Sequence, residues 1–293
     1  MSTPYWPDRP RILASFAYPL TVERALRVPS VDLMVDSGAF TAHTLGKKID
    51  LQDYCDFLNA NHSRITTAVV LDVIGDWRAT ARNHERMLEL VRDDVQVLPV
   101  WHSTSPLTEL ERLCSTYPYI GIGGVVSMAK TVSRFMQHMI RAHQVARKHG
   151  TRLHGLGVTG QTAMIRLPWY SVDSSSFIAG ARYGRTVLYT HRYQQTTVTA
   201  GERITDREAL RLVRRYGQEP DRLAKPGFGR KVGGAGYQSE YMWMVEASAR
   251  AHMHVEGHLY QRNRNDARVY LACAPTYAVD VVHKAHSLGS PFD

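Results

Sequence analysis

Three short apolar runs in this chain stop on a carboxylate: Leu33-Met34-Val35-Asp36, Ala68-Val69-Val70-Leu71-Asp72 and Tyr170-Ser171-Val172-Asp173. Each has the length of a strand and is rich in β-branched or aliphatic residues. Three such endings predict one sheet with three acids along one edge.

Five further runs extend the pattern, at residues 11–18, 95–101 (ending at His102), 119–124, 152–158 and 186–190. Helical spacing fills most of the intervals between runs, at residues 50–58, 77–92, 107–114 and 132–149, with Gly150 as a C-cap after the last. Strands alternating with helices imply βαβ units and a parallel sheet. Eight of them before residue 200 predict a (β/α)8 TIM barrel over residues 1–200. The connection between the seventh and eighth runs is short, and no clear helix separates the first two.

Residues 201–293 are expected to form a basic helical elaboration packed on the barrel, the whole being a single domain. Its elements are helical patterns at residues 205–216, 239–258 and 277–286, and a glycine-rich cationic loop at 225–236. That loop follows no strand and lacks Gly-Lys-Ser/Thr, so it is not a nucleotide-binding loop of the Walker or Rossmann kind.

Composition narrows the class. With 44% hydrophobic and 22% charged residues in 293, the chain has the make-up of a globular protein with ample core. No run of about 18 apolar residues suggests a membrane span. The first residues lack the basic start and apolar block of a signal peptide, so a cytoplasmic protein is expected. Cys55, Cys114 and Cys273 are dispersed and odd in number, without a CxxC pair, which indicates neither a disulfide framework nor a zinc ribbon. Lys and Arg number 36 against 27 Asp and Glu, a formal charge of +9. That excess suits a polyanionic partner, although a basic surface also serves solubility alone.

In a barrel of this kind the chemistry sits at the carboxyl ends of the strands. The pattern places Asp36, Asp72, His102, Gly123, Gly124, Gly157 and Asp173 there. Acids converging on one rim repel one another and shift each other's pKa, which separates nucleophile from proton carrier. An Asp at a strand end can equally cap the turn that follows. A metal-dependent hydrolase barrel is expected to show a His-x-His strand end, and none of these runs ends so.

Asp36-Ser37-Gly38-Ala39-Phe40, then Asp72, then Gly121-Ile122-Gly123-Gly124-Val125-Val126, Gly155-Leu156-Gly157-Val158 and Val172-Asp173-Ser174 occur in a telling order. Over roughly residues 32–185 the chain resembles the tRNA-guanine transglycosylase family in the order and approximate spacing of these motifs. The resemblance implies base exchange at a nucleoside. Asp173 would be the nucleophile at the anomeric carbon and Asp36 would carry protons to and from the bases. Asp72 would accept hydrogen bonds from the guanine-like edge, with main-chain amides near Gly123 and Gly124 on its carbonyl oxygen and Gly157 in the same base site. His102 stands where the family has a base-contacting Gln. Phe40 is a candidate to stack on the base, or a core residue at a strand end.

The family's Cys-x-Cys-x-x-Cys zinc group is absent here, so no metal and no cofactor are expected. His252, His254, His258, Cys273, His283 and His286 are the side chains from which a replacement zinc site would have to be built. Serines follow Asp173 where tRNA-acting members have Cys-Val-Leu-Pro-Thr-Arg. In its compactness the chain looks more like the phage and bacterial branch that inserts 7-deazaguanine bases into DNA. The partners implied are duplex DNA, whose guanine must leave the stack, and the free 7-deazaguanine base; in a phage-encoded protein the compartment would be the host cytoplasm. Arg182, Arg185, Arg192, Arg207, Arg211, Arg214, Arg215, Arg230 and Lys231 would neutralise phosphates, or else form a solvated face. The alternatives are tRNA as the polymer and a catalytically silent nucleic-acid-binding subunit.

Overall fold

The computed structural model describes residues 5–124, 132–158, 160–225, 239–262 and 267–293. Nine parallel strands form one sheet: β1 (Arg11–Ser15), β2 (Asp32–Asp36), β3 (Thr67–Val69), β4 (Gln96–Leu98), β5 (Val100–His102), β6 (Tyr119–Gly123), β7 (Arg152–Gly155), β8 (Ser171–Ser174) and, late in the chain, β11 (Arg268–Cys273). Their order is β4-β3-β2-β1-β11-β8-β7-β6-β5. β4 and β5 are one stretch of chain interrupted at Pro99, which has no amide to give to a ladder. β4 pairs with β3 and β5 pairs with β6. The two ends of the sheet therefore meet on the same stretch, and the sheet wraps into a nearly closed TIM-type barrel.

The run at 186–190 is not the eighth barrel strand. It belongs to β9 (Arg185–Tyr189), which pairs antiparallel with β10 (Gln195–Thr199) in a separate ribbon. Only residues 175–184 separate it from β8, fewer than the dozen or more that a parallel crossover requires. The eighth position is filled by β11, between β8 and β1, so the barrel is not complete at residue 200. The interval between the first two runs does hold a helix, Pro19–Leu26, started by a proline at its first turn where no amide is needed.

The helix Ser239–Arg262 is not a surface decoration. Tyr241, Met244, Val245, Ala249, Val255 and Leu259 are all buried, and it packs against β9, β11 and the helices Ser176–Arg182 and Thr276–Ser287. Buried on most of its circumference, polar residues such as His252, His254 and Glu256 included, it is a core helix. Among the described residues, no helix is long and apolar enough to cross a membrane.

Register decides what faces the barrel axis, because paired residues and every second neighbour share a face. The pairs Arg11 with Asp32, Ser15 with Asp36, His154 with Ser171, Tyr270 with Asp173 and His102 with Gly123 line the interior in layers. At the amino-terminal end, Arg11 donates to buried Glu256 at 3.0 and 3.1 Å and lies 3.4 Å from Asp32. Asp32 also accepts from Tyr270 at 3.0 Å and from Arg268 at 3.4 Å. Asp36, His102 and Asp173 stand at the opposite, carboxyl-terminal end.

Candidate functional site

β2 ends at Asp36, and the chain must turn sharply there. The amide of Gly38 donates to Asp36 Oδ2 at 2.9 Å, closing a local turn. Gly38 has φ 82°, and a Cβ on it would lie 2.6 Å from that of Ala17, so only glycine fits. The carboxyl of Asp36 is pushed up to about 7, first by burial and then by the negative charges of Asp72 and Asp173, against the opposing pull of the Gly38 amide and the Ser15 hydroxyl. Charges acting on one another in this way have been brought to one place. The three acids of the sequence pattern thus converge.

Asp173, near the end of β8, is buried. Its Oδ1 accepts from the amide of Gly157 at 2.8 Å and lies 3.2 Å from Nε2 of His154. Gly157 holds φ 68°, the left-handed conformation that glycine adopts without strain. His154 on β7 is completely enclosed, and its Nδ1 is 2.7 Å from the hydroxyl of Ser171. Ser171 Oγ is in turn 2.7 Å from the hydroxyl of Tyr119. None of these three was singled out by the motif pattern. The available signal was a histidine next to an apolar residue in a predicted strand, two residues after an arginine.

Asp72 lies past the end of β3, on an extended stretch fixed by the Asn83 side chain on Leu71 O at 2.7 Å and by Thr80 Oγ1 on the Val73 amide at 2.8 Å. Its Oδ2 is 3.6 Å from Nε2 of His102, beyond hydrogen-bond distance. His102 is the register partner of Gly123, and a Cβ on Gly123 would come within 3.5 Å of the His102 ring. Gly124 has φ 72°, and its carbonyl accepts from Ser103 Oγ at 3.0 Å. Asp72, His102, Gly123 and Gly124 are therefore grouped along β3, β5 and β6. An open cleft of about 400 Å³ runs beside Asp72, lined among others by Ala39, His43, Lys47, Lys48 and Asn83. That volume is in the range of small-molecule sites. Phe40, on the helix Ala39–Thr44 that follows Asp36, is 65% exposed and so is no core residue.

Arg182, Arg185, Arg192, Arg207, Arg211, Arg214 and Arg215 are all exposed. Arg207, Arg211 and Arg214 recur at helical spacing on Arg207–Arg215, whose other face buries Ala209, Leu212 and Val213. Arg215 instead leans on the chain end, over the Phe292 ring at 5.5 Å. Arg230, Lys231, Val125 and Val126 lie outside the described residues.

Three of the candidate zinc histidines of the C-terminal part have other partners. His252 Nε2 meets Ser176 Oγ at 2.7 Å, His254 Nε2 meets the Thr190 carbonyl at 3.2 Å, and His286 Nε2 meets the Pro7 carbonyl at 2.8 Å. Among the described residues, no three His, Cys, Asp or Glu side chains are placed to hold a metal ion.

No family model and no curated protein matches the chain. Among solved structures, a xylose isomerase domain protein from Planctomyces limnophilus is similar at 16% identity over 97% of this chain and 95% of that one, with a TM-score of 0.30.

Proposed function

We propose that this chain is a transglycosylase that exchanges guanine in DNA for a 7-deazaguanine base through a covalent glycosyl-aspartate. The observation that carries this reading is the grouping of Asp36, Asp72 and Asp173 at the carboxyl-terminal rim, with Asp173 Oδ1 held by Gly157 and His154; burial and the charges of Asp72 and Asp173 push Asp36 up to about 7 there. A carboxyl titrating near neutrality can both give and take a proton. Asp173, with one oxygen tied to two nitrogen donors, offers the other as nucleophile.

An oxygen of Asp173 attacks the anomeric carbon and the glycosidic C–N bond breaks. Its electron pair leaves with guanine, which takes up the proton of Asp36. The incoming base then gives its ring N–H proton to Asp36, and its nitrogen displaces the Asp173 carboxylate from the sugar. Two inversions retain configuration, as in a retaining glycosidase with a heterocycle in place of water. Asp72 accepts the N–H donors of the base edge in the adjoining cleft, beside His102 and the side-chain-free backbone of Gly123 and Gly124. Exposed Phe40 is free to stack on the base.

The formal charge of +9 supports a polyanionic substrate. DNA is favoured over tRNA by the serines Ser174, Ser175 and Ser176 after the nucleophile. The test is release of labelled guanine from duplex DNA or tRNA, with and without an added 7-deazaguanine base, by the wild type and by Asp173→Ala. Release from DNA that needs both the base and Asp173 is the expected result. Release from tRNA alone transfers the activity to that polymer, and release from neither leaves a nucleic-acid-binding protein.

A further inference from the structure

We propose that His154 is a positioning residue for Asp173, and that a buried hydroxyl relay from Tyr119 through Ser171 sets the imidazole tautomer that does this. The inference rests on the exchange reaction proposed above and names the group that aims its nucleophile.

Direction follows from counting hydrogens. An ionised carboxylate only accepts, so the contact between His154 and Asp173 Oδ1 at 3.2 Å is a hydrogen bond when the imidazole proton is on Nε2. Nδ1 is then an acceptor, and the hydroxyl 2.7 Å away on Ser171 must donate to it. With its one hydrogen committed, Ser171 accepts from Tyr119, 2.7 Å away. Every donor in the row points toward Asp173. The opposite tautomer would set the lone pair of the fully buried Nε2 against a carboxylate oxygen.

The imidazole is also held in place. It is completely buried, and the rings of Tyr119 and Tyr270 meet it edge-on at 6.5 and 6.1 Å. His154 and Gly157 together occupy Oδ1, while no described residue hydrogen-bonds Oδ2. That asymmetry assigns Oδ2 as the atom that bonds to the sugar. In the glycosyl-enzyme Oδ1 becomes the ester carbonyl oxygen and keeps both donors. When the new base displaces Asp173, negative charge returns to the carboxylate, and a donor already in place stabilises it as a leaving group.

His154→Leu removes the donor, whereas His154→Gln restores an N–H close to the position of Nε2. For His154→Leu, kcat for exchange is expected to fall about 10- to 100-fold, with KM for the free base essentially unchanged and glycosyl-enzyme accumulating. His154→Gln is expected to recover most of the loss. A rise in KM that accounts for the loss, or a folded His154→Gln no better than His154→Leu, overturns the proposal. Nitrogen-15 NMR of the wild-type imidazole decides the tautomer without any substrate: a proton on Nε2 with Nδ1 bare supports the relay, and a proton on Nδ1, alone or together with one on Nε2, overturns it. If the wild type exchanges no base in either polymer, the exchange reading fails, and the tautomer measurement still decides the relay.

Discussion

The amide of Gly157 donates to Oδ1 of Asp173 at 2.8 Å, joining the loop after β7 to the end of β8. The bond exists because Gly157 adopts φ 68°, where a residue with a Cβ is strained by about 1–2 kcal/mol. Gly157→Ala therefore either stores that strain or swings the amide away. We expect a folded protein whose single-turnover guanine release is slowed about 10- to 100-fold, the usual effect of a lost hydrogen bond to a charged acceptor. A variant releasing guanine at the wild-type rate would show that the amide plays no part in aiming Asp173.

Asp36 links activity to stability through pH. Its carboxyl is raised on folding to about 7 from the ordinary 3.8. A carboxyl raised on folding favours the folded state while it is protonated in both states, and that advantage is lost as pH rises through the folded value. Stability of the wild type should thus decline between about pH 4 and pH 7, by roughly 2 kcal/mol once solvent screening at the open rim is allowed for. Asp36→Asn removes the titrating group. It should be inactive in exchange yet more stable than the wild type at pH 8, and nearly equal to it at pH 4.5. Urea unfolding at the two values checks this, and a difference that does not grow with pH would remove Asp36 from the role of proton carrier.

The three aspartates were legible in the sequence because each follows an apolar run that marks a strand and its direction, although only Asp36 is a last strand residue: β3 stops at Val69, before Asp72, and β8 runs one residue past Asp173. Barrel closure was less legible. Residues 186–190 and 268–273 are both short runs with apolar centres, and the length of the preceding connection, with the position of β11 beside β1, separates ribbon from barrel. His154 was hidden for a different reason. Its partners lie on neighbouring strands, and their meeting depends on the register of His154 with Ser171, which no local pattern encodes. Phe40 shows the same limit: its exposure depends on how the helix Ala39–Thr44 sits on the rim, not on the residue's own hydrophobicity.

Asp72 makes a prediction about affinity. Its side chain is 19% exposed beside the open cleft and makes no hydrogen bond to His102 at 3.6 Å, so its lone pairs are available to a ligand. Asp72→Asn substitutes a donor for one acceptor. Binding of a free 7-deazaguanine base, followed by titration calorimetry, should weaken about 10- to 100-fold, the cost of exchanging a charged acceptor for a mismatched amide. The guanine-release rate of enzyme saturated with DNA should change less than the affinity for the free base. Unchanged base affinity would place base recognition elsewhere on the rim.

Glu256 separates folding from chemistry. It is fully buried at the amino-terminal end of the barrel, where it accepts from Arg11, from the Tyr5 hydroxyl at 2.8 Å and from the Val269 amide at 2.8 Å. Three parts of the chain that are distant in sequence thus meet on one carboxylate: the N-terminal segment, β1 and the last barrel strand. Removing it leaves the Arg11 guanidinium with Asp32 as its remaining buried carboxylate partner, and uncompensated buried charge costs about 3–5 kcal/mol. Glu256→Ala should lower the unfolding free energy by that amount. Glu256→Gln keeps the shape and an acceptor for Val269, so its cost should be smaller. Because the site chemistry sits at the other end of the barrel, the folded fraction of either variant should exchange base at the wild-type rate below its melting temperature. A Glu256→Gln protein that is fully folded yet slow would instead mean that the polar interior couples the two ends of the barrel.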